Sequence, residues 1–449
     1  MRTEFPPGSA EGSDMSVSEA EVRKCVHCGF CLSTCPTYVL LGDERDSPRG
    51  RIYLIKTMLE EEAAPTPEVV RHIDRCLSCL SCETTCPSGV DYRRLIDHAR
   101  IYTEEHYKRP LHERIVRRLV AALLPHPRRF RFALHLGRLA RPFAGLFGQG
   151  SAIGAMLGLV PARMPARAGL QATPGGSRGR VALVQGCAEP VLRPEIRAAT
   201  ARLLARSGYE VVFVRGEGCC GALVHHIGRE RDSLAAARRN VDLWTAEQER
   251  LGLDAIVTTA AGCGTMIKDY GALLRNDPDY AGKAERISAM ARDVTELLSE
   301  GEVAAAPTGL SVTYHAACSL QHGQGVVEQP IRLLASAGFT VSEPAEAHLC
   351  CGSAGLYNIL QPDLAARLKE RKLGHIARAN PDIVVAGNIG CAMQLASGAA
   401  VPVLHTAEML DWATGGPLPA ALAEAGIDRV LGILPRSNTP PQGEDHDPQ

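Results

Sequence analysis

Aromatic residues are scarce in this sequence: 4% of its 449 positions are Phe, Trp or Tyr, and only two are Trp. No charge dominates either. Lys and Arg number 49 against 50 Asp and Glu, a net of −1, so no overall field draws the chain to nucleic acid or to acidic partners. Long apolar runs are also missing. The one uncharged stretch of spanning length, 142–162, is broken by five Gly and two Pro, which argues against a membrane-crossing helix. The first residues show no apolar segment behind a basic start, so no secretory signal is read there. What the sequence has in excess is cysteine, 16 in all. Without an export signal these thiols are expected in a reducing, cytoplasmic setting, where they stay free or bind metal.

Composition and pattern divide the chain. Apolar residues make up 45%, enough for more than one core. Residues 1–15 read as a tail without order and 436–449 as a polar tail. Residues 16–107 carry two cysteine clusters within helical stretches such as "SPRGRIYLIKTMLEEE" and "TPEVVRHIDR". Residues 108–179 form a basic connector. Residues 180–300 and 308–432 alternate strand-like and helical runs.

Those last two regions are copies of one another. "RVALVQGC" matches "SVTYHAAC", "GEGCCGAL" matches "HLCCGSAGL", and "DAIVTTAAGC" matches "DIVVAGNIGC". Cys187 and Cys318, Cys219 and Cys350, and Cys220 and Cys351 are each 131 residues apart, and Cys263 and Cys391 are 128 apart. Even "DVTELL" is echoed by "HTAEML". Two copies point to a pair of similar lobes. Each reads strand, helix, strand, Cys-Cys-Gly loop, helix, strand, Cys loop, helix, which is an α/β order with parallel strands. The expected fold is therefore multidomain: an all-α N-terminal domain around the first eight cysteines, followed by two duplicated α/β Cys-rich lobes related by a pseudo-twofold.

The N-terminal cysteines are the sharpest signal. Cys25, Cys28, Cys31 and Cys35 precede Pro36; Cys76, Cys79, Cys82 and Cys86 precede Pro87. Both runs follow the C-x2-C-x2-C-x3-C-P spacing of bacterial two-cluster ferredoxins, in which the fourth Cys ligates the other cluster. Three thiolates on one tight loop cap three irons, and the fourth iron is reached from elsewhere. The fourth Cys of each run is expected to start a helix, with Pro in its first turn. Cluster 1 is thus assigned to Cys25, Cys28, Cys31 and Cys86, and cluster 2 to Cys35, Cys76, Cys79 and Cys82. Structural zinc is the bland alternative, but zinc sites usually pair two separated C-x2-C units.

Each lobe offers four further cysteines: Cys187, Cys219, Cys220 and Cys263 in the first, and Cys318, Cys350, Cys351 and Cys391 in the second. All follow strand-like runs, and ligands of open α/β sheets bind at the carboxyl ends of strands. Adjacent thiols with two more from neighbouring loops suit a soft metal, against a bland reading as buried small apolar residues. His225, His226, His315, His322, His348 and His405 lie near these loops and read mainly as satisfied loop residues. Gly216, Gly218 and Gly221 fit a dinucleotide fingerprint. Cysteines fill that motif and the second copy lacks it, so no nucleotide site is expected there.

A double-ferredoxin start followed by two Cys-Cys-Gly modules resembles the iron–sulfur subunits of bacterial glycolate oxidases. The resemblance rests on "KCVHCGFCLSTCPTY", "DSPRGRIYLIK", "CLSCLSCETTCPSGVDY", "GCCGAL", "AAGCG" and "HLCCGSAGLYNILQP". Similar layouts occur in subunits of anaerobic glycerol phosphate dehydrogenase, in lactate-utilisation proteins and in heterodisulfide reductases. The resemblance implies an electron-transfer subunit of a flavin-dependent 2-hydroxy-acid dehydrogenase. It implies two 4Fe–4S clusters here, FAD on a partner flavoprotein, and an acceptor such as quinone. A catalytic subunit reducing heterodisulfides or thiols is the rival implied by the same layout. The broader family closes each module with C-x-x-C, whereas Met266 and Gln394 stand at those last positions here. Four cysteines per lobe leave a four-thiolate cluster, a zinc ion or a redox-active thiol set open. No general base or flavin motif is identified in the chain, so substrate oxidation falls to the partner. The connector, with ten Lys or Arg and one acid over 108–141, reads as a helix on an anionic membrane surface or an acidic partner, with a solvated helix linking domains as the equal alternative.

Overall fold

The structure is a computed structural model that describes residues 1–3, 5, 12–142, 152–161, 163–166 and 176–426. Among these, every regular element before residue 179 is helical. Helices Pro48–Glu60 and Pro67–Asp74 coincide with the two stretches read as helical, and each is started by a cap and a proline. The Ser47 hydroxyl accepts from the Gly50 amide at 3.0 Å, and Thr66 accepts from Val69 at 3.3 Å. Proline in the first turn wastes no hydrogen bond, because that amide has no helical partner. Ile55, Leu59, Ile73, Leu95 and Ile96 face inward from three helices and form a sealed core.

The two cysteine runs end differently. Cys35 caps helix Pro36–Leu41 as expected. Cys86 instead closes the short helix Ser81–Thr85. Pro87 then enters a turn, closed by the Gly89 amide on the Cys86 carbonyl at 3.2 Å. Gly89 sits at φ +61°, a conformation that diverts the chain before the next helix begins at Tyr92.

Each lobe is built on a four-stranded parallel sheet. The first comprises β1 (Gly179–Leu183), β2 (Tyr209–Val212), β3 (Ala255–Thr258) and β4 (Ala291–Asp293), in the order β2-β1-β3-β4. The second comprises β5 (Ser311–His315), β6 (Thr340–Ser342), β7 (Ile383–Ala386) and β8 (Val403–His405), in the matching order β6-β5-β7-β8. Long helices Glu230–Leu251 and Pro362–Ala379 make equivalent crossovers. The sequence pattern gives three strands per copy; β4 and β8 are additional. Each has three residues, too few for a period to be read, and each leads into a capping box, Asp293 with Glu296 and His405 with Glu408. These boxes are the "DVTELL" and "HTAEML" echo.

The lobes share one apolar core. Val181, Leu183, Val211 and Val257 of the first sheet lie in the same cluster as Val312, Tyr314, Val385 and Leu404 of the second. At its edge, Arg202 and Arg206 bind the buried Asp411 carboxylate at 2.6 Å each.

The connector contributes helices Leu111–Leu123 and Pro127–Ala140. Arg109 anchors it, donating to Asp74 at 2.6 and 3.1 Å. No helix among the described residues is long and apolar enough to cross a membrane; part of 142–162 lies outside them, as does 436–449. The described residues within 1–15 depart from the expected tail. The Met1 ammonium donates to the Cys25 carbonyl at 2.7 Å, Phe5 is buried in the helical core, and helix Asp14–Lys24 begins within the segment. Phe5 and the terminal ammonium each find a partner there, which polarity alone does not foretell.

Candidate metal centres

The N-terminal thiols converge because their loops turn sharply at matching places. His27 and Gly29 in the first loop, and Ser78 and Leu80 in the second, all have positive φ. Three of these are not glycine, so each loop holds a locally costly shape fixed by its surroundings. Cys25, Cys28, Cys31 and Cys86 line one cavity, and Cys35, Cys76, Cys79 and Cys82 line another; Cys82 borders both. All eight are free thiols. The first set opens to the surface at Cys28, between exposed Val26 and Phe30. The second is buried. Burial first, then the neighbouring thiols, pushes Cys79 and Cys82 well above the ordinary thiol range. Such thiols ionise only when a cation replaces their protons, and two sets of four sulfur donors suit 4Fe–4S cubes.

Hydrogen-bond donors surround the second set. Arg51 approaches Cys35 Sγ at 3.9 Å, the Tyr92 hydroxyl approaches Cys76 Sγ at 3.8 Å, and the Ser78 amide donates to Cys76 Sγ at 3.5 Å. Arg51 is 1% exposed and also donates to the His72 carbonyl, Thr37 and Asp46 at 2.6, 3.0 and 3.3 Å. Burial opposes its charge, but Tyr92, Cys76, Cys35 and Asp46 outweigh that and hold its pKa above the ordinary value. The cysteine spacing does not single out Arg51. The sequence carries only a faint sign of it: an arginine on the same helix face as Ile55 and Met58.

The lobe cysteines lie beyond the carboxyl ends of β1, β2 and β3, and of β5, β6 and β7, the edge where parallel sheets bind ligands. In the first lobe Cys219 is hydrogen-bonded to Cys187 and Cys220, and Cys220 to Cys263. The bonds from Cys187 and Cys220, helped by the Gly221 amide and Arg239, hold Cys219 below the ordinary thiol range, while Cys187 and Cys220 are pushed up. In the second lobe Cys318 and Cys350 sulfurs are 3.7 Å apart, and Cys351 is hydrogen-bonded to Cys391. The Asn388 side chain donates to Cys391 at 3.4 Å. The buried Lys372 ammonium, bonded to the Glu346 carbonyl at 2.6 Å, lies beside these sulfurs.

These sets adjoin one another. A cavity of about 170 Å³ between the lobes is lined by Cys187, Cys220 and Cys263 from one side and Cys318 and Cys391 from the other. Glu189 also lines it; burial raises its carboxyl to about 7 despite a 2.7 Å bond from Thr259. Cys79 of the N-terminal domain packs in one cluster with Cys318 and Cys350. The four sulfur groups thus adjoin one another, from the surface-open set through the buried set to the cysteines of the two lobes.

The candidate histidines separate clearly. His225 pairs with Asp97 at 3.0 Å. His322 bridges Thr84 and the His348 carbonyl at 2.8 and 3.2 Å. His405 caps its helix and reaches the Thr259 carbonyl at 2.9 Å. His226 lines the interlobe cavity. His315 stands apart, with its ligand nitrogen close to Cys351 and Cys391 sulfurs. The glycines of the dinucleotide-like motif serve the cysteine turn: Gly221, at φ +93°, starts the four-residue helix Ala222–His225, and the Gly218 amide is taken by Asn240 at 3.1 Å.

Comparison with known proteins agrees with this layout. Residues 181–268 and 312–396 match the family described as cysteine-rich domain, and 21–90 match the 4Fe-4S dicluster domain. The chain is 41% identical over 418 residues to the glycolate oxidase iron-sulfur subunit of Escherichia coli (strain K12), covering 92% of this chain and 99% of that one. It is 31% identical over 434 residues to the probable glycolate oxidase iron-sulfur subunit of Bacillus subtilis (strain 168), covering 89% and 95%. Lactate utilization protein A of Geobacillus kaustophilus is 27% identical over 242 residues, 52% of this chain and 98% of that one. Among solved structures, a hypothetical protein from Helicobacter pylori has a TM-score of 0.53 at 11% identity, over 93% of this chain and 75% of that one; the likeness is one of fold.

Proposed function

Because the chain belongs to the family of glycolate oxidase iron–sulfur subunits, we propose that it is the electron-transfer subunit of a flavin-dependent 2-hydroxy-acid dehydrogenase complex. The observation that carries this reading is the pair of adjoining four-sulfur sets, one open to the surface at Cys28 and the other buried against the cysteines of the second lobe. Bound 4Fe–4S clusters supply one-electron carriers. The chain's own residues hold them apart from water, set their surroundings and present an entry face.

Cys25, Cys28, Cys31 and Cys86 would hold one cluster and Cys35, Cys76, Cys79 and Cys82 the other. The eight lobe cysteines are read as two further soft-metal sites. Val26 and Phe30, at 68% and 63% exposure around the surface-open set, suit docking of the flavoprotein, on which FAD and substrate oxidation would reside. The domain division we favour is 16–107 as an all-α double-cluster domain, 108–179 as connector, and 180–300 and 308–432 as lobes related by a pseudo-twofold.

The connector supports a peripheral place on the membrane, where a quinone acceptor would be met. Phe132, Leu136 and Leu139 lie four and three residues apart on one helix face and are exposed, beside exposed Arg128, Arg129 and Arg138. An apolar stripe flanked by arginine is the pattern of a helix lying in an anionic interface.

The interlobe cavity favours one competing reading, a thiol- or heterodisulfide-reducing catalyst working at its five cysteines. One experiment separates the two. The complex is purified anaerobically and supplied with glycolate and a quinone analogue. Electron transfer that needs the co-purifying flavoprotein, with at least about eight irons per chain for two cubes, fits the proposal. Disulfide reduction that persists without the flavoprotein and is lost in Cys220→Ser, a cysteine of that cavity, fits the competitor.

A further inference from the structure

Among the differences between the two lobes, one places a ligand-type side chain beside the sulfurs. In the matched segments "RVALVQGC" and "SVTYHAAC", the first lobe has Val184 where the second has His315. Val184 is an ordinary buried apolar residue. His315 is the last residue of β5 and is 1% exposed, yet neither ring nitrogen has a hydrogen-bond partner. A buried imidazole without a partner is an exception among native polar groups and calls for a ligand.

That ligand's position is marked by two sulfurs. A His315 nitrogen and the sulfurs of Cys351 and Cys391 all lie within 4.8 Å of one another, in a fully buried group. In a 4Fe–4S cube each thiolate takes a different iron, so the donors diverge to separate corners. Donors gathered this tightly fit one ion, with metal–sulfur bonds of about 2.3 Å and metal–nitrogen bonds of about 2.0–2.1 Å. Imidazole with thiolates is a soft to borderline donor set, unlike the oxygen sets that hold calcium or magnesium.

We propose that the second lobe holds a single divalent ion of the zinc class, bound by a ring nitrogen of His315 with the sulfurs of Cys351 and Cys391. Binding releases the two thiol protons to solvent and leaves the imidazole neutral. The first lobe, with valine at the equivalent position, keeps an all-sulfur site, so the duplicated halves take different metal chemistry. This inference rests on reading the lobe cysteines as metal ligands.

The test uses the anaerobically purified full chain, loaded with Zn2+ alone. Zinc and iron are counted, and the zinc coordination shell is read by X-ray absorption. The wild type should show a nitrogen scatterer at about 2.0–2.1 Å beside sulfur at about 2.3 Å. His315→Val should lose that nitrogen and bind Zn2+ at least about tenfold more weakly against a chelator. His315→Cys should regain binding with a sulfur-only shell. An unchanged iron content reports that each variant has folded. Should His315→Val lose its iron, His315→Cys alone decides the matter, because retention of the nitrogen there overturns the assignment. An unaltered shell and affinity in His315→Val overturns His315 as ligand while the lobe sites stand. Iron in place of zinc at this site overturns the single-ion reading. A wild-type chain that binds no metal beyond its N-terminal iron overturns the reading of the lobe cysteines themselves.

Discussion

The guanidinium of Arg51 lies 3.9 Å from the sulfur of Cys35 and is sealed from solvent with it. A fixed positive charge at that distance stabilises the more negative, reduced state of whatever Cys35 ligates. Replacing it in Arg51→Gln should lower the potential of the buried cluster by tens of millivolts, read by a redox titration followed by EPR. The same change removes one cation from Asp46, which also binds Arg75 at 2.8 Å and His72 at 2.9 Å. Loss of about 3 kcal/mol in unfolding free energy is the expected cost of breaking such a buried pair. An unshifted potential would remove Arg51 from any tuning role.

Crossed ligation has its own signature. If Cys86 serves the same cluster as Cys28, then Cys28→Ala and Cys86→Ala should abolish the same EPR signal. Cys35→Ala and Cys79→Ala should abolish the other. Sequential ligation would instead pair Cys35 with Cys28, and that outcome is equally visible in the spectra.

The contact between His225 and Asp97 joins the first lobe to helix Tyr92–His106 and predicts a pH dependence. Burial works against the His225 cation, but the Asp97 carboxylate overcomes it and raises the imidazole pKa. A raised imidazole stabilises the fold fully below its unfolded value, near about 6.5, and ceases to do so as pH climbs through the higher folded value. Melting temperature followed from about pH 5.5 to about pH 9 should therefore fall more steeply in the wild type than in Asp97→Asn. Parallel profiles would show that the pair does not titrate in this interval.

Association with an anionic surface is checked by vesicle pelleting. Arg128→Gln with Arg129→Gln should weaken binding to phosphatidylserine-containing vesicles about tenfold or more, at about 1 kcal/mol per cation. Phe132→Ser with Leu139→Ser should weaken it through lost apolar contact. Raised salt should reproduce the first effect and spare the second. Equal binding by all variants would dismiss this surface.

Most of the fold and the grouping of the cysteines are legible in the amino-acid sequence, because spacing is a property of the chain itself. The 131-residue offset between paired cysteines fixes the duplication, and β-branched runs such as "AIVT" mark central strands. What stays illegible depends on contacts between distant segments. The strand Ala291–Asp293 contains one apolar residue and exists because it lines up beside Ile256–Thr258. Arg51 becomes functional only once helix Pro48–Glu60 has turned it toward Cys35. Cys86 shares the consensus of Cys35 but not its helix, since the turn at Gly89 intervenes. His315 reads like any other loop-adjacent histidine, and only the folded chain shows that it lacks a hydrogen-bond partner.

The apolar cluster common to both sheets bears on descent as well as on folding. It draws Val181 and Leu183 from one copy together with Val312 and Tyr314 from the other. A protein with a single copy would have met water along that whole face. Two such molecules joined about a rotation axis would have covered it, as self-complementary dimers do. On this view, fusion of the genes turned a contact between subunits into the interior of one chain, and freed each half to acquire side chains the other lacks.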